Sequence, residues 1–564
     1  MKNWIALFMS LGLVLSRAQA SELVQVTNHF DADPGWEGFH NRVRAENPPT
    51  KTQAFGWKEG RIGGVIWRSR TPAWYASKVG PFGFNDALTA SGSIMLPPRA
   101  QGGGAYVGFF NHQRQEWRPW SSIAARITEP RPQASGALAA DFTLDYMSAG
   151  WKAGGYGAGG IPADGKFHRW SFEYDPKAEV ATDWPHPKLA QWLGKERVPE
   201  ERLLELARKD EPGFTLKRLN ELLEESQFRG LIEFHVRRGV GWQLRPNPKE
   251  VKGRLVCRLD NGPRQSHFLS RTIRQEPLVL DRFGIFNFQL PGDDIELYLS
   301  DLTINGKRVE LSTDPGWEGK NNQSRFSEED FHAKQNFGYS ATHHAGESPG
   351  EIGGTFWRTE PIDPLHAFYA DDVGLLTLDD PLEFSGNISF VAGGTDAGMA
   401  FGYFNTKDKM TEFRLEQGGE AGAPLPNTLL AAVEGPTRIG YYFSAQLCTS
   451  ERNRSGHSDG PVFVPDATRH AFSFWYDPSA NNGVGQIVLA LDGKRYPFNL
   501  TPEQRKAGAQ FNRFGLMNVR RGGKYVEVYL DDLSYTARRE EGDRPARHTD
   551  KIISVPYPQG GRKY

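Results

Sequence analysis

Two short strings bring together residue types that can do chemistry: Glu116-Trp117-Arg118 and Glu412-Phe413-Arg414. Each follows a Gly-aromatic-Phe-Asn segment, Gly108 to Asn111 and Gly402 to Asn405. If these segments are strands, period-two alternation turns the carboxylate and the guanidinium to one face and the aromatic ring to the other. The segments that come next, Tyr146-Met147-Ser148-Ala149 and Tyr442-Phe443-Ser444-Ala445, put a phenol and a hydroxyl on one face in the same way. Such a surface suits a hydroxyl-rich or uronate-bearing ligand, with Arg gripping a carboxylate or a hydroxyl pair and Glu or Tyr available to move a proton. A structural account fits the same residues: a cross-strand Glu–Arg pair beside a hydrogen-bonded core tyrosine.

Other candidates lie in only one half of the chain. "YSATHHAGESPGE" (Tyr339 to Glu351) brings His343, His344 and Glu347, and "CTSERNRSGHSDG" (Cys448 to Gly460) brings Glu451, Arg452, Arg454 and His457 directly after Tyr442. Adjacent histidines on a strand point opposite ways, so a joint metal site would need a loop, and no metal set is assigned. The first half has "GWKAGGYGAGG" at the matching place, where Trp151 and Tyr156 could stack on sugar faces. The expected catalytic set is therefore Glu412, Tyr442, His343 and His457. The expected substrate-binding set is Arg414, Arg358, Tyr369, Glu116, Arg118, Tyr146, Trp151 and Tyr156.

These residues are carried on a repeated frame. "DPGWEG" occurs at Asp33 to Gly38 and again at Asp314 to Gly319. From the two copies the similarity continues in one order: "IGGVIWR" (Ile62 to Arg68) with "IGGTFWR" (Ile352 to Arg358), "WYA" (Trp74 to Ala76) with "FYA" (Phe368 to Ala370), "HRWSFEYDP" (His168 to Pro176) with "HAFSFWYDP" (His470 to Pro478), and "RFGIFN" (Arg282 to Asn287) with "RFGLMN" (Arg513 to Asn518). The matching segments are short, aromatic and β-branched, alternate in polarity, and are separated by Gly, Asp-Pro and Asn-Gly turns. They predict an all-β fold of two tandem sandwiches, with Asp-Pro-Gly as a turn and Trp36 and Trp317 plugging the core ends. Between Pro176 and Arg282 the first copy holds a long extra segment whose leucines, Leu216, Leu219, Leu222 and Leu223, follow helical spacing. It predicts a helical insert at about 180–250, packed as a cap over one sandwich or between the two. Only Ile304 to Arg308 separates the copies, so the sandwiches are expected to abut. The expected units are 21–306, 307–537 and a tail or strap at 538–564.

Composition narrows the partners. Lys plus Arg (67) against Asp plus Glu (68) leaves a net charge of −1, which gives no support for capture of nucleic acid or of an anionic membrane. Residues 1–20 read as an export leader, with Lys2, an apolar run from Trp4 to Leu15 and a small-x-small site at Ala18 to Ala20. A secreted or periplasmic protein without a membrane span is the expectation. Two cysteines, Cys257 and Cys448, exclude a disulfide framework, so stability must come from burial.

The aromatic strand ending "FWYDP", the hairpin in "LALDGKRY" and the closing "VYLDDLSY" resemble the concanavalin A-like lectin/glucanase superfamily, in particular its laminin-G-like jelly rolls. The resemblance implies two tandem concanavalin A-like jelly-roll β-sandwiches, and a polysaccharide or glycoconjugate as partner. Its hydrolase branch carries Glu-x-Asp-x-x-Glu; here Glu173-Tyr174-Asp175 is followed by Ala178, and Trp475 stands at the matching place in the second copy, so that motif is absent. Polysaccharide binding is the expected function, with a glycoside hydrolase or polysaccharide lyase centred on the second half, or a structural adhesion role, as alternatives. The resemblance also admits a structural calcium near Asp301 or Asp531-Asp532, with Asp31 or Asp33 contributing; no other cofactor is expected.

Overall fold

The computed structural model describes residues 22–113, 121–150, 153–181, 188–194, 196–235, 241–244, 251–327, 335–358, 366–394, 397–408, 425–437, 440–456, 460–519, 524–539, 548 and 552–556. Strands dominate, and four large antiparallel sheets carry the architecture. Sheet I runs Ala54–Lys58, Arg61–Trp67, Asp294–Ile304, Leu88–Met95, Phe167–Asp175, Val251–Leu259, Gln265–Ser270. Sheet II runs Ala153–Pro162, Leu138–Met147, Ser122–Pro132, Gly104–Phe110, Leu280–Asn287, Trp74–Phe82, Glu318–Lys320. Sheets III and IV repeat those two orders strand for strand. Sheet III runs Asn336–Ser340, Glu351–Trp357, Tyr525–Arg539, Leu382–Gly393, Arg469–Asp477, Gln486–Leu491, Lys494–Asn499, and sheet IV runs Arg454–Gly456, Gly440–Cys448, Thr428–Thr437, Ala397–Phe404, Gln510–Asn518, Phe368–Thr377, Glu37–Phe39.

Alternation supplies each sandwich with its core. Phe109, Phe172, Phe283 and Leu297 meet between sheets I and II, while Phe401, Phe474, Phe514 and Val528 meet between sheets III and IV. All eight are buried, and each such side chain contributes roughly 1.5–3 kcal/mol by leaving water.

The last strand of sheets II and IV is the DPGWEG segment, and each residue type in it has a partner in a repeated string. Asp33 Oδ1 accepts the Gly35 N–H at 2.8 Å and the Tyr369 hydroxyl at 2.9 Å; Asp314 Oδ1 does the same for Gly316 at 2.9 Å and Tyr75 at 3.2 Å. The turn that follows needs φ near 68° at Gly35 and 66° at Gly316, left-handed values open to glycine at no steric cost. Trp36 then lies against Tyr369 with ring centroids 5.6 Å apart, and Trp317 against Tyr75 at 5.7 Å. Glu37 pairs with Arg513 through two contacts of 2.9 and 2.8 Å, and Glu318 with Arg282 at 3.1 and 2.7 Å.

The partners are exchanged in sequence. The first DPGWEG docks on the second sandwich, as Glu37–Phe39 pairs with Phe368 to Ala370, and the second docks on the first, as Glu318–Lys320 pairs with Trp74 to Ala76. The N-terminal strand Glu22–Asn28 likewise pairs with Leu533 to Arg539, more than 500 positions along the chain. Trp36 thus plugs a core end, but the core belongs to the second sandwich. Residues 553–556 add a parallel strand to Val43–Glu46, and the His548 N–H reaches the Gly35 carbonyl at 2.8 Å, so this part of the tail straps the entry segment.

The sandwiches touch along an apolar and ionic seam. Leu290 packs with Trp357 and Tyr525, and the Arg70 guanidinium lies 4.1 Å from the Tyr525 ring while reaching Thr355 Oγ1 at 3.3 Å and Glu527 at 3.4 Å. The helical insert is present and its last helix packs on the outward face of sheet I at the two end strands, where Phe268 is 2 % exposed beneath Gly230 and the Arg254 guanidinium lies 4.1 Å from the Phe228 ring. Leu189–Leu193, Glu200–Asp210 and Leu216–Phe228 bury Trp192, Leu203, Phe214, Leu219 and Leu223 in a small core of their own. What remains of the last helix covers the outermost strand of sheet I, where Ser266 Oγ donates to the Gln227 carbonyl at 2.8 Å and the Arg264 N–H to Glu224 at 3.1 Å. An uncovered edge would offer unpaired backbone groups to other chains. Both cysteines are buried.

The exchange makes an ordering testable. Trp36 is 4 % exposed and Trp317 is only partly buried. Trp36→Ala should therefore cost about 3–5 kcal/mol, and Trp317→Ala clearly less, in denaturant unfolding of the full chain; equal losses would contradict the placement.

Candidate functional site

With the inward faces filled, chemistry is left to the outward faces of sheets II and IV and to the sandwich rims. On sheet IV, Leu429, Ala431 and Val433 point into the core, which turns Glu434 outward. Tyr442 stands directly across from it on the neighbouring strand, and Ser444 across from Ala432. Arg358 reaches Glu434 at 3.6 Å. A guanidinium, a carboxylate, a phenol and a hydroxyl thus share one surface. The carboxylate is Glu434, which the sequence reading did not single out although strand alternation marks it. Beside this set the face is apolar and closed by Phe368, Phe404, Leu430 and Met517.

Sheet II repeats the Arg–Glu pair but not the outward phenol. Arg68 takes the place of Arg358 and meets Glu129 at 3.2 Å. Phe142, Leu144 and Tyr146 point inward, so Asp141, Thr143 and Asp145 point outward. Arg131 pairs with Asp141 at 2.9 Å, and Arg126 Nε lies 3.2 Å from Asp145. Trp74, Tyr106, Phe110, Phe286 and Phe288 form the closed apolar part of this face.

The expected residues separate accordingly. Arg358, just past the Glu351–Trp357 strand of sheet III, and Tyr442, on sheet IV, each neighbour Glu434. Tyr146, 4 % exposed, faces the first core and stacks near His267, so it does not match the outward Tyr442. Tyr369, 1 % exposed, is a core residue held by Asp33 and Trp36. His343 is exposed in the loop before Glu351–Trp357, away from the strand of Tyr442. Tyr156 takes part in the outermost strand of sheet II, opposite Leu144. Glu116, Arg118, Trp151, Glu412, Arg414 and His457 lie outside the described residues.

A polar cleft of about 330 Å³ opens where the N-terminal strand closes the second sandwich, lined by His29, Asp31, Glu347, Asn387, Arg469 and Asp532 with Asp531 beneath. Asp532 is held by His29 Nδ1 at 2.7 Å and by the Asn387 amide at 2.9 Å; Arg469 reaches Glu347 at 3.3 Å. The hydrogen bond to Asp532 lifts His29 above the ordinary histidine value. Glu351, fully buried, fixes the wall of the cleft by accepting from Thr342 Oγ1 (2.6 Å) and from the N–H groups of His344 (2.9 Å) and Ala345 (2.7 Å). Among the described residues no group of three or more His, Cys, Asp or Glu has the spacing to hold a metal ion. Asp301 lies away from this cleft, in sheet I, where it meets Ser93 Oγ at 3.4 Å.

No protein-family model and no curated protein matches the chain. Among solved structures, domains LG4-5 of the mouse laminin alpha1 chain are similar at 9 % identity over 92 % of this chain and 98 % of that one, with a TM-score of 0.22. Peanut lectin, at 12 % identity over 36 % of this chain and 90 % of that one, and basic winged bean lectin, at 13 % over 37 % and 94 %, each give a TM-score of 0.21. Likenesses that loose transfer neither fold nor ligand to this chain. No described helix is long and apolar enough to cross a membrane.

Asp531 gives the cleft a pH signature. Burial, then the neighbouring charges of Asp532 and Glu351, push its carboxyl from 3.8 up to about 6. Between those values the folded protein keeps a proton that the unfolded chain has released, so the contribution is full at low pH and is lost as pH rises through about 6. Asp531→Asn keeps the acceptor for the Asp532 N–H and should raise Tm at pH 7.5, with the gain shrinking towards pH 4; a gain independent of pH would contradict this account.

Proposed function

We propose that this is an exported protein of two duplicated concanavalin A-like jelly rolls, divided near residues 306 and 307, that binds polysaccharide or glycoconjugate in the periplasm or outside the cell. The observation that carries the reading is the outward set Glu434, Tyr442 and Ser444 on sheet IV, with Arg358 against Glu434. Donors and acceptors alternate there on a rigid sheet beside an apolar surface, the mixture that a sugar ring with hydroxyl edges and a C–H face requires. The leader-like residues 1–20 support export, and the near-neutral charge favours no nucleic acid or membrane partner.

A glycan-processing enzyme is the second reading, favoured by Tyr442 standing opposite Glu434, a phenol and a carboxylate within one surface. One experiment separates the two. The chain from Ser21 onward is incubated with neutral, uronate-containing and sulfated polysaccharides, and retention is read together with reducing ends and 235 nm absorbance. Retention without products, weakened at least about tenfold by Arg358→Ala, the loss expected for a charge-assisted hydrogen bond, is the outcome for a binding protein. Products that disappear with Glu434→Gln or Tyr442→Phe would establish the enzyme, and neither retention nor products would remove both.

A further inference from the structure

The outermost strand of sheet II, Ala153–Pro162, is glycine-rich, and the fold accounts for only some of those glycines. A Cβ at Gly154 would overlap the Tyr146 ring, and one at Gly155 would overlap the Asp145 carboxylate. Gly159 has φ of 119°, outside what other residues adopt readily. Gly157 has neither reason. A Cβ there would meet nothing within 4 Å among the described residues, and its φ is not in the left-handed region. Residues with side chains are favoured in strands, so a bare position that could accept one calls for another cause.

Beside it stands a carboxylate whose charge is paired with Arg126 but whose hydrogen-bonding capacity is unfilled among the described residues. Asp145 is 3 % exposed, yet neither of its oxygens has a hydrogen-bond partner, and Arg126 Nε, 3.2 Å away, is not aligned to donate. A buried carboxylate without hydrogen bonds is costly and rare in a native fold. Its position is set by register: Asp145 pairs with Gly155 and Thr143 with Gly157, so carboxylate, hydroxyl and bare backbone share one outward surface. The other charges of this face are matched among themselves, Arg68 with Glu129 and Arg131 with Asp141. Met147 and Ala153, at the end of the same face, pack into the apolar cluster of the second sandwich and close the surface on that side. Both Gly155 and Gly157 remain exposed, and the Arg126 side chain is 26 % exposed at the rim.

We propose that the surface over Gly157 and Thr143 is a subsite for a neutral glycan, in which one sugar ring lies flat on the Gly157 backbone and, as the Asp145 side chain turns out from over Gly155, donates hydroxyl hydrogen bonds to that carboxylate while Arg126 turns to donate to the same ring. The inference rests on the polysaccharide-binding reading and narrows it. A ligand carrying sulfate or carboxylate would bring negative charge to a carboxylate that already lacks donors. A neutral ring supplies the donors that Asp145 is missing, and a side chain at position 157 would occupy the place of the ring.

The test uses the chain from Ser21 onward, with dextran, a soluble β-glucan, xylan and mannan set against dextran sulfate and alginate, Kd being read by affinity electrophoresis or calorimetry. Gly157→Val should fold with an unchanged or higher Tm and lose at least tenfold in affinity for the neutral glycan that the parent chain binds. Asp145→Asn should weaken the same glycan and leave any residual binding of dextran sulfate unchanged or stronger. Neutral-glycan affinity untouched by both substitutions would overturn the subsite and leave the broader reading standing. Binding confined to dextran sulfate or alginate would overturn the neutral class. If the parent chain retains none of the six, the polysaccharide reading falls and the subsite with it.

Discussion

The structure depends on one shared acceptor: the carboxylate of the aspartate that opens each DPGWEG segment. A single oxygen holds the following turn through a glycine N–H and holds the tyrosine of the neighbouring sandwich through its hydroxyl. The tyrosine then offers its ring to the tryptophan two positions after the turn glycine's neighbouring proline, and the glutamate finds the arginine that begins the Arg-Phe-Gly strand. Burial and the adjacent Asp314 charge push the Tyr75 hydroxyl up to about 12, so it stays a donor throughout the accessible pH range. Removing any member leaves another unpaired in a partly buried place, which explains why the string is repeated whole.

That lock joins ends that are distant in sequence. Each DPGWEG completes a sandwich whose other strands lie elsewhere in the chain, and for the second sandwich they lie at the opposite end. Its sheets therefore close only when Glu22–Asn28 and Glu37–Phe39 meet Tyr525–Arg539 and Phe368–Thr377. Pairings of such long range come late because their loop-closure entropy must be met first. The edge of the Tyr525–Arg539 strand is divided between Glu351–Trp357 and the N-terminal strand, so nothing else in sheet III covers it until the entry segment arrives.

The all-β character and the helical nature of the insert were legible because each is a local pattern: short alternating strands, turn dipeptides and leucines at helical spacing. The exchange of the DPGWEG segments was not legible, because a repeat marks equivalence and says nothing about which copy docks where. Sidedness failed where one string was matched to another by letter. Tyr146-Met147-Ser148 and Tyr442-Phe443-Ser444 look alike, yet Phe142 and Leu144 set the phase that sends Tyr146 inward, while Tyr441 and Phe443 set the phase that sends Tyr442 outward. The same alternation, followed through whole strands, would have marked Glu434 and Asp145. The helical spacing predicts a cap over one sandwich or between the two; most of the insert's leucines close on one another, and the end of the last helix covers only the outward face of the two end strands of sheet I.

The two outward faces, built on one strand order, have drifted apart at their rims. Both keep an arginine at the end of the Ile-Gly-Gly strand and a glutamate to meet it, Arg68 with Glu129 and Arg358 with Glu434. An ion pair that survives on both sheets is accounted for by register alone, since a cross-strand pair fixes which residues face each other. Asp145 has no such account. Its register counterpart on sheet IV is Gln446, which likewise lies opposite a glycine, Gly456, but carries no charge, whereas Asp145 is a buried carboxylate with no hydrogen-bond donor in line among the described residues. Features shared by the faces are therefore best assigned to the scaffold, and the features that separate them to ligand. On the proposed glycan-binding reading, that criterion points to the glycine strand of the first sandwich and to the Tyr442 surface of the second.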